Sequence, residues 1–141
     1  MRGRTKAATG SWISRVRAFV RRHESPYGWR ETEIRRLAGE AEHLLGKTCL
    51  VCERLIERIG LDHKIPVARG GRTIPGNIRA MHEECNRAKG ALTEDEFVRL
   101  IVALDSIGLT VKRDVLARLK AGWRAGGSAW RLGARRFFGR R

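Results

Sequence analysis

Acidic residues are scarce in this chain: 15 Asp and Glu stand against 30 Lys and Arg, leaving a formal charge of +15. A surplus of that size excludes an acidic solvating protein and argues for a polyanionic partner rather than a small metabolite. Cysteine is scarce too. Three residues make an odd count, which suits metal binding in a reducing cytoplasm better than a disulfide framework. No stretch reaches the roughly 18 uncharged apolar residues of a membrane span. Arg15 and Arg17 interrupt the apolar run near the start, so no secretory leader is expected. The chain holds no phosphate-cradling P-loop, no dinucleotide fingerprint and no Ser-His-Asp arrangement, and no internal repeat. What is there is 141 residues, enough for one domain with flanking elements, and an apolar content of 42% with which to build a core.

The charge is unevenly spread, at +6 over residues 1–48, +3 over 49–92, −3 over 93–110 and +9 over 111–141. The first segment predicts two helices. Trp12, Ile13, Val16, Phe19 and Val20 recur at helical spacing, with Arg15, Arg17, Arg21 and Arg22 on the other positions. Those arginines form either a solvated face or a set of phosphate contacts. After the break Ser25-Pro26-Tyr27-Gly28, a second stripe of Ile34, Leu37, Ala38, Ala41, Leu44 and Leu45 ends at Gly46. Helical periodicity fades over 49–92, where Ile56 to Leu61 and Ile78 to Met81 are short strand candidates. Thr93-x-x-Glu96 is a capping box opening a helix with Phe97, Leu100, Ile101 and Leu104 inward. It ends near Gly108, and a further helix is expected over about Val111 to Ala121. Residues 122–141 form a basic tail with Trp123, Trp130, Phe137 and Phe138, which pack on the domain, stay disordered or stack on exposed bases.

Cys49-x-x-Cys52 and His82-x-x-Cys85 are two ligand pairs of equal spacing. Two intervening residues let both side chains of a pair reach one tetrahedral zinc from a tight knuckle, and the second pair uses the only other cysteine in the chain. A redox pair or an incidental cluster is the competitor. Between the pairs lie Asp62-His63, the Gly70-Gly71 turn and Asn77, and Asn86 directly follows Cys85. If zinc closes the knuckles together, Asp62 and Asn86 are drawn to one place. Their two oxygens make a sparse hard-cation site that leaves positions for water and phosphate, as Mg²⁺ prefers. An adjacent histidine can then take a proton from water. Plainer roles are open to each: Asp62 as a turn cap, His63 as a packed ring, Asn77 as turn chemistry, and Arg87 and Lys89 as solvated charges rather than phosphate contacts.

The order Cys-x-x-Cys, Asp-His, Gly-Gly, Asn, His-x-x-Cys, Asn-x-x-Lys resembles the HNH endonuclease family, whose fold is a ββα-metal unit. The resemblance covers about a third of the chain, from Cys49 to Gly90. It implies an α+β fold with a small zinc-stabilised ββα-metal core over residues 49–92. A basic helical extension (1–48), C-terminal helices packing on the core (93–121) and the tail (122–141) would flank it. It further implies that His63 is the general base and that Asp62 and Asn86 hold a catalytic Mg²⁺ or Mn²⁺. Asn77 would tie down the loop and help orient the His63 ring, and Cys49, Cys52, His82 and Cys85 would bind structural zinc. His82 stands where many members have Cys, and Asn86 where many have His, which bears on the preferred catalytic ion.

The activity so implied is metal-dependent hydrolysis of DNA phosphodiester bonds in the cytoplasm, in a protein of phage or mobile-element origin. DNA is the expected partner, held mainly by its backbone, with Arg87, Lys89, Lys64, Lys112 and Arg113 as contacts and residues 111–141 as the electrostatic arm. A homodimer or a phage or mobile-element partner protein is left open beside it. The alternatives are a zinc-stabilised DNA-binding module without catalysis and, more remotely, a basic protein acting on anionic lipids.

Overall fold

A two-stranded antiparallel sheet separates two hydrophobic clusters. The computed structural model describes residues 6–124, and the side chains of residues 11–122. The elements run α1 (Lys6–Arg22), α2 (Glu31–Leu44), β1 (Ile59–His63), β2 (Ile78–His82), α3 (Glu83–Lys89), α4 (Glu94–Asp105) and α5 (Leu109–Arg124), an α+β arrangement with helices at both ends. The register pairs Ile59 with His82 and His63 with Ile78. Successive strand residues face opposite sides of a sheet. Ile78 and Ala80 therefore join the buried Trp12, Val16 and Phe19 of α1 and Ile34, Leu37, Ala38 and Ala41 of α2. Met81, on the other face, joins Cys49, Cys52, Ile56 and Cys85 with Phe97, Leu100, Ile101 and Leu104 of α4 and Leu116 of α5. Among the described residues no helix is long and apolar enough to cross a membrane.

Most element boundaries follow the sequence pattern. The capping box is formed: Thr93 Oγ1 accepts from the Glu96 backbone N–H at 3.2 Å, and Glu96 accepts from the Thr93 N–H at 2.9 Å. Gly46 lies beyond the end of α2 with a left-handed φ of 78°. The first strand is displaced from its expected position. Ile56 belongs instead to the Cys49–Cys52 knuckle hairpin, where its N–H donates to Lys47 O at 2.8 Å. The strand starts three residues later, at Ile59, and Asp62 and His63 are its last two paired residues. The last helix is longer than expected, beginning directly after Gly108.

Residues 64–77 connect the strands. Asn77 closes this loop. Its Oδ1 accepts from Ile65 N–H at 2.9 Å, and its Nδ2 donates to Ile65 O at 3.1 Å and Arg72 O at 2.9 Å. The same closure requires a glycine at 71, because a Cβ there would overlap the Ile65 carbonyl oxygen and lie 3.0 Å from Pro66 O. Backbone cannot move aside as a side chain can, so overpacking at this point carries a cost of about 1–3 kcal/mol. Gly71→Ala is expected to lower the unfolding free energy by about 2 kcal/mol in urea denaturation; an unchanged midpoint would show that the loop is not held this tightly.

Candidate functional site

The Cys49-Leu50-Val51-Cys52 knuckle is a short hairpin in which Cys49 N–H donates to Arg54 O at 2.8 Å and Glu53 N–H returns to Cys49 O at 2.9 Å. His82 ends β2 and Cys85 lies in the first turn of α3, so the hairpin and the strand–helix junction present four donors to one point. All four are buried, and their ligand atoms lie within 4.8 Å of one another. Cys49 Sγ is 3.7 Å from Cys85 Sγ, and His82 Nδ1 is 3.4 Å from Cys52 Sγ and 3.6 Å from Cys85 Sγ. Tetrahedral bonds of about 2.3 Å to sulfur and 2.0–2.1 Å to nitrogen place S···S at about 3.8 Å and S···N at about 3.5 Å. The donor set and its spacing therefore fit a structural zinc. Without an ion the thiols interact strongly. The Cys85 hydrogen bond pushes Cys49 down to about 4, and the same contact together with burial pushes Cys85 up. Three thiolates this close need a cation between them.

On the other side of α3, the helix and β1 face each other. Gly60 and Asp62 lie on one face of the strand, and Asn86 and Lys89 on one face of the helix. A Cβ on Gly60 would lie 2.8 Å from Asn86 Nδ2 and overlap the Glu83 carboxylate, so the missing side chain is what lets Asn86 rest against the strand. Further along, Lys89 Nζ donates to Asp62 Oδ1 at 3.3 Å and to His63 O at 3.0 Å, and lies 3.2 Å from Oδ2. Arg79 Nε is 3.7 Å from the same oxygen. Burial raises the Asp62 carboxyl and lowers the Lys89 amine, each against the pull of the other's charge. Asp62 Oδ2 is buried and makes no well-formed hydrogen bond, although Lys89 and Arg79 both lie beside it. An acceptor in that state, with the Asn86 amide group across the same interface, fits a hard-cation site.

His63 points to the opposite face. Its Nε2 is 2.9 Å from Thr73 Oγ1, and its ring is met by Phe19 at 5.3 Å and His23 at 4.8 Å, both from the end of α1 and the turn after it. The ring is 9% exposed. Burial, then the neighbouring His23 and Lys89 charges, lower it to about 4, so it is neutral at pH 7. Thr73 is fixed in turn: its carbonyl accepts from Ser25 Oγ and, at 3.1 Å, from Trp29 Nε1. The segment between α1 and α2 thus sets the hydroxyl against which His63 rests. The Asn77 side chain bonds to the Ile65 and Arg72 backbone rather than to the ring, and closes the loop that carries Thr73.

Two expected phosphate contacts are corrected. Lys89 is fully buried in its pairing with Asp62, and Lys112 is 3% exposed between Asp105 and Glu53, so neither amine is presented to a ligand outside. Arg113 donates to Cys52 O at 3.0 Å and ties α5 to the knuckle. Arg87 is paired with Glu83 at 3.1 Å, and Lys64 is half-buried. Trp130, Phe137 and Phe138 lie outside the described residues, as does the Trp123 side chain. The contacts of Thr73, Phe19 and His23 with His63, and the close approach at Gly60, were not expected from the sequence. Gly60 alone left a trace, as a glycine inside a strand, which marks a close approach of another group.

Residues 49–92 match the family model for HNH endonuclease. The chain matches no curated protein and no solved structure. A match to that family implies a nuclease or DNA-binding function built around a zinc site. The protein is expected to carry about one zinc per chain, which Cys85→Ser would lose, and chelation should lower its melting temperature. Full thermal stability in zinc-free protein with three titratable thiols would refute a structural metal here.

Proposed function

We propose that this protein, in which residues 49–92 form an HNH domain, is a metal-dependent endonuclease hydrolysing DNA phosphodiester bonds. The observation that carries the reading is the buried Asp62 carboxylate, whose Oδ2 makes no well-formed hydrogen bond, next to His63 in the chain and facing the helix that bears Asn86. Asp62 and Asn86 would hold Mg²⁺ or Mn²⁺. Such an ion, when bound, supplies Lewis-acid stabilisation of negative charge on the phosphate and the leaving oxygen.

The chain's own groups do the rest. With Nε2 directed at Thr73 Oγ1, Nδ1 is the His63 nitrogen left to take a proton from the attacking water. Lys89 fixes the backbone of that histidine through His63 O while contacting both Asp62 oxygens, so base and ligand are positioned by one buried amine. Asn77 keeps the loop closed and Thr73 in place. Thiolate ligation suits a reducing cytoplasm. A phage or mobile-element origin is proposed on the family resemblance alone.

The near-complete burial of His63 under Phe19 and His23 favours a second reading, a zinc-stabilised DNA-binding module without catalysis. Supercoiled-plasmid cleavage separates the two. Zinc-loaded wild type desalted free of Mg²⁺ and Mn²⁺ should nick DNA only when one of these ions is restored, and His63→Ala should lose about 10²–10⁴-fold in rate with zinc content and fold unchanged. Equal cleavage by the variant would remove His63 from the mechanism. Salt-sensitive binding with no cleavage under any ion would establish the binding module.

A further inference from the structure

Helix α1 lies outside the matched residues 49–92, yet it forms one wall of a cleft along the open edge of β1. The opposite wall is α3. Two adjoining depressions make up this cleft and share Trp12, Arg15, Ile59 and Glu83. One extends to Phe19, Arg22, Gly60 and Asn86, the other to Arg58 and Arg87.

The α1 wall repeats a two-residue device. The Arg15 guanidinium lies over Trp12, 4.6 Å from the ring centroid, and that of Arg22 over Phe19 at 5.8 Å. Both rings are 6% exposed, and both arginines are exposed. The two units are seven residues apart, two helical turns or about 10.5 Å, and therefore share a face. Arg17, on another face, is spent on Glu31 of α2 at 2.6 Å. Arg15 and Arg22 have no acidic partner among the described residues. A guanidinium held over a buried ring loses less freedom on binding an anion than one on a free chain, and its N–H groups can make bidentate contact with phosphate oxygens. Their spacing corresponds to about three nucleotides along a strand at 3.4 Å each.

We propose that α1 is the substrate-gripping wall of this cleft: Arg15 and Arg22, preorganised on Trp12 and Phe19, bind two backbone phosphates of DNA lying along β1. The inference rests on the nuclease reading for the opposite side, where Asn86 lines the same cleft. It moves the principal backbone contact from the C-terminal segment to the N-terminal helix.

Binding is measured by fluorescence anisotropy of a labelled DNA duplex with the zinc-loaded full chain, desalted free of Mg²⁺ and Mn²⁺, from 50 to 200 mM KCl, so that no cleavage is needed. Arg15→Gln/Arg22→Gln is expected to flatten the slope of log affinity against log salt by about 1.8, the release from two phosphates. Arg15→Lys/Arg22→Lys should keep the slope, and Arg21→Gln, one residue along and about 100° round the helix, should leave it as in wild type. If the double variant does not fold, each single Gln variant should flatten the slope by about 0.9. An unchanged slope in folded variants, or the same loss per charge in Arg21→Gln, overturns the inference. Tighter arginine-dependent binding of an RNA duplex overturns the DNA assignment. Plasmid cleavage with an unchanged slope would sink this wall and leave the nuclease standing. The slope change without cleavage by wild type would do the reverse.

Discussion

Everything near the candidate site hangs on the convergence of Cys49, Cys52, His82 and Cys85. These residues are up to 36 positions apart in the chain, and the ββ unit between them has only five residues in each strand. Two such strands are marginal alone. Holding the knuckle against the β2–α3 junction fixes where α3 begins, and so which of its residues look across at β1. A turn of a seven-residue helix one way or the other would exchange Asn86 and Lys89 for residues that face the core. Three thiolates packed this closely would repel one another without a cation between them, so a zinc here would be a structural element rather than a decoration on a core.

The second constraint is electrostatic. Lys89 and Asp62 are a buried ion pair, and the loss of hydration opposes charge on both. Such pairs commonly contribute little net stability, while removal of one partner leaves the other uncompensated. Its value here is geometric. A single amine reaches Asp62 and the backbone of His63, joining the end of β1 to the last residue of α3. One oxygen of the aspartate, Oδ2, has Lys89 and Arg79 beside it but no well-formed hydrogen bond. An apolar substitute for the pair would hold the packing but not that oxygen, and a cation entering the site would meet a carboxylate already oriented by its own side chain's partner.

Much of this was legible because it is local. Ligand pairs two residues apart, a capping box and a glycine doublet each carry their geometry in their spacing, and Cys49–Cys52, Thr93–Glu96 and Gly70–Gly71 are found as the spacing implies. Asn77 acts as a loop tie for the same reason: its partners are its own loop's carbonyls and amide. The environment of His63 was not legible. Thr73 reaches it only after the loop closes, and Phe19 and His23 arrive from an element 40 residues earlier. Nor does an Asn-x-x-Lys string say that its lysine is buried. The expected exposure of Lys89 came from its residue type, and tertiary pairing reversed it.

The same distinction applies to the charge. A formal +15 describes the chain, whereas a ligand meets only the cations left free at the surface. In the C-terminal helix, Lys112 is buried against Asp105, Arg118 is paired with Asp114, and Lys120 with Glu84. Arg69 and Arg79 are matched by Glu96 and Glu94. Much of the positive charge in the described C-terminal segment is thus neutralised within the protein. On α1, by contrast, Arg15 and Arg22 are oriented by aromatic rings instead of carboxylates. A ring fixes a guanidinium without cancelling its charge. That is the physical difference between a cation that completes a fold and one that remains available to a polyanion.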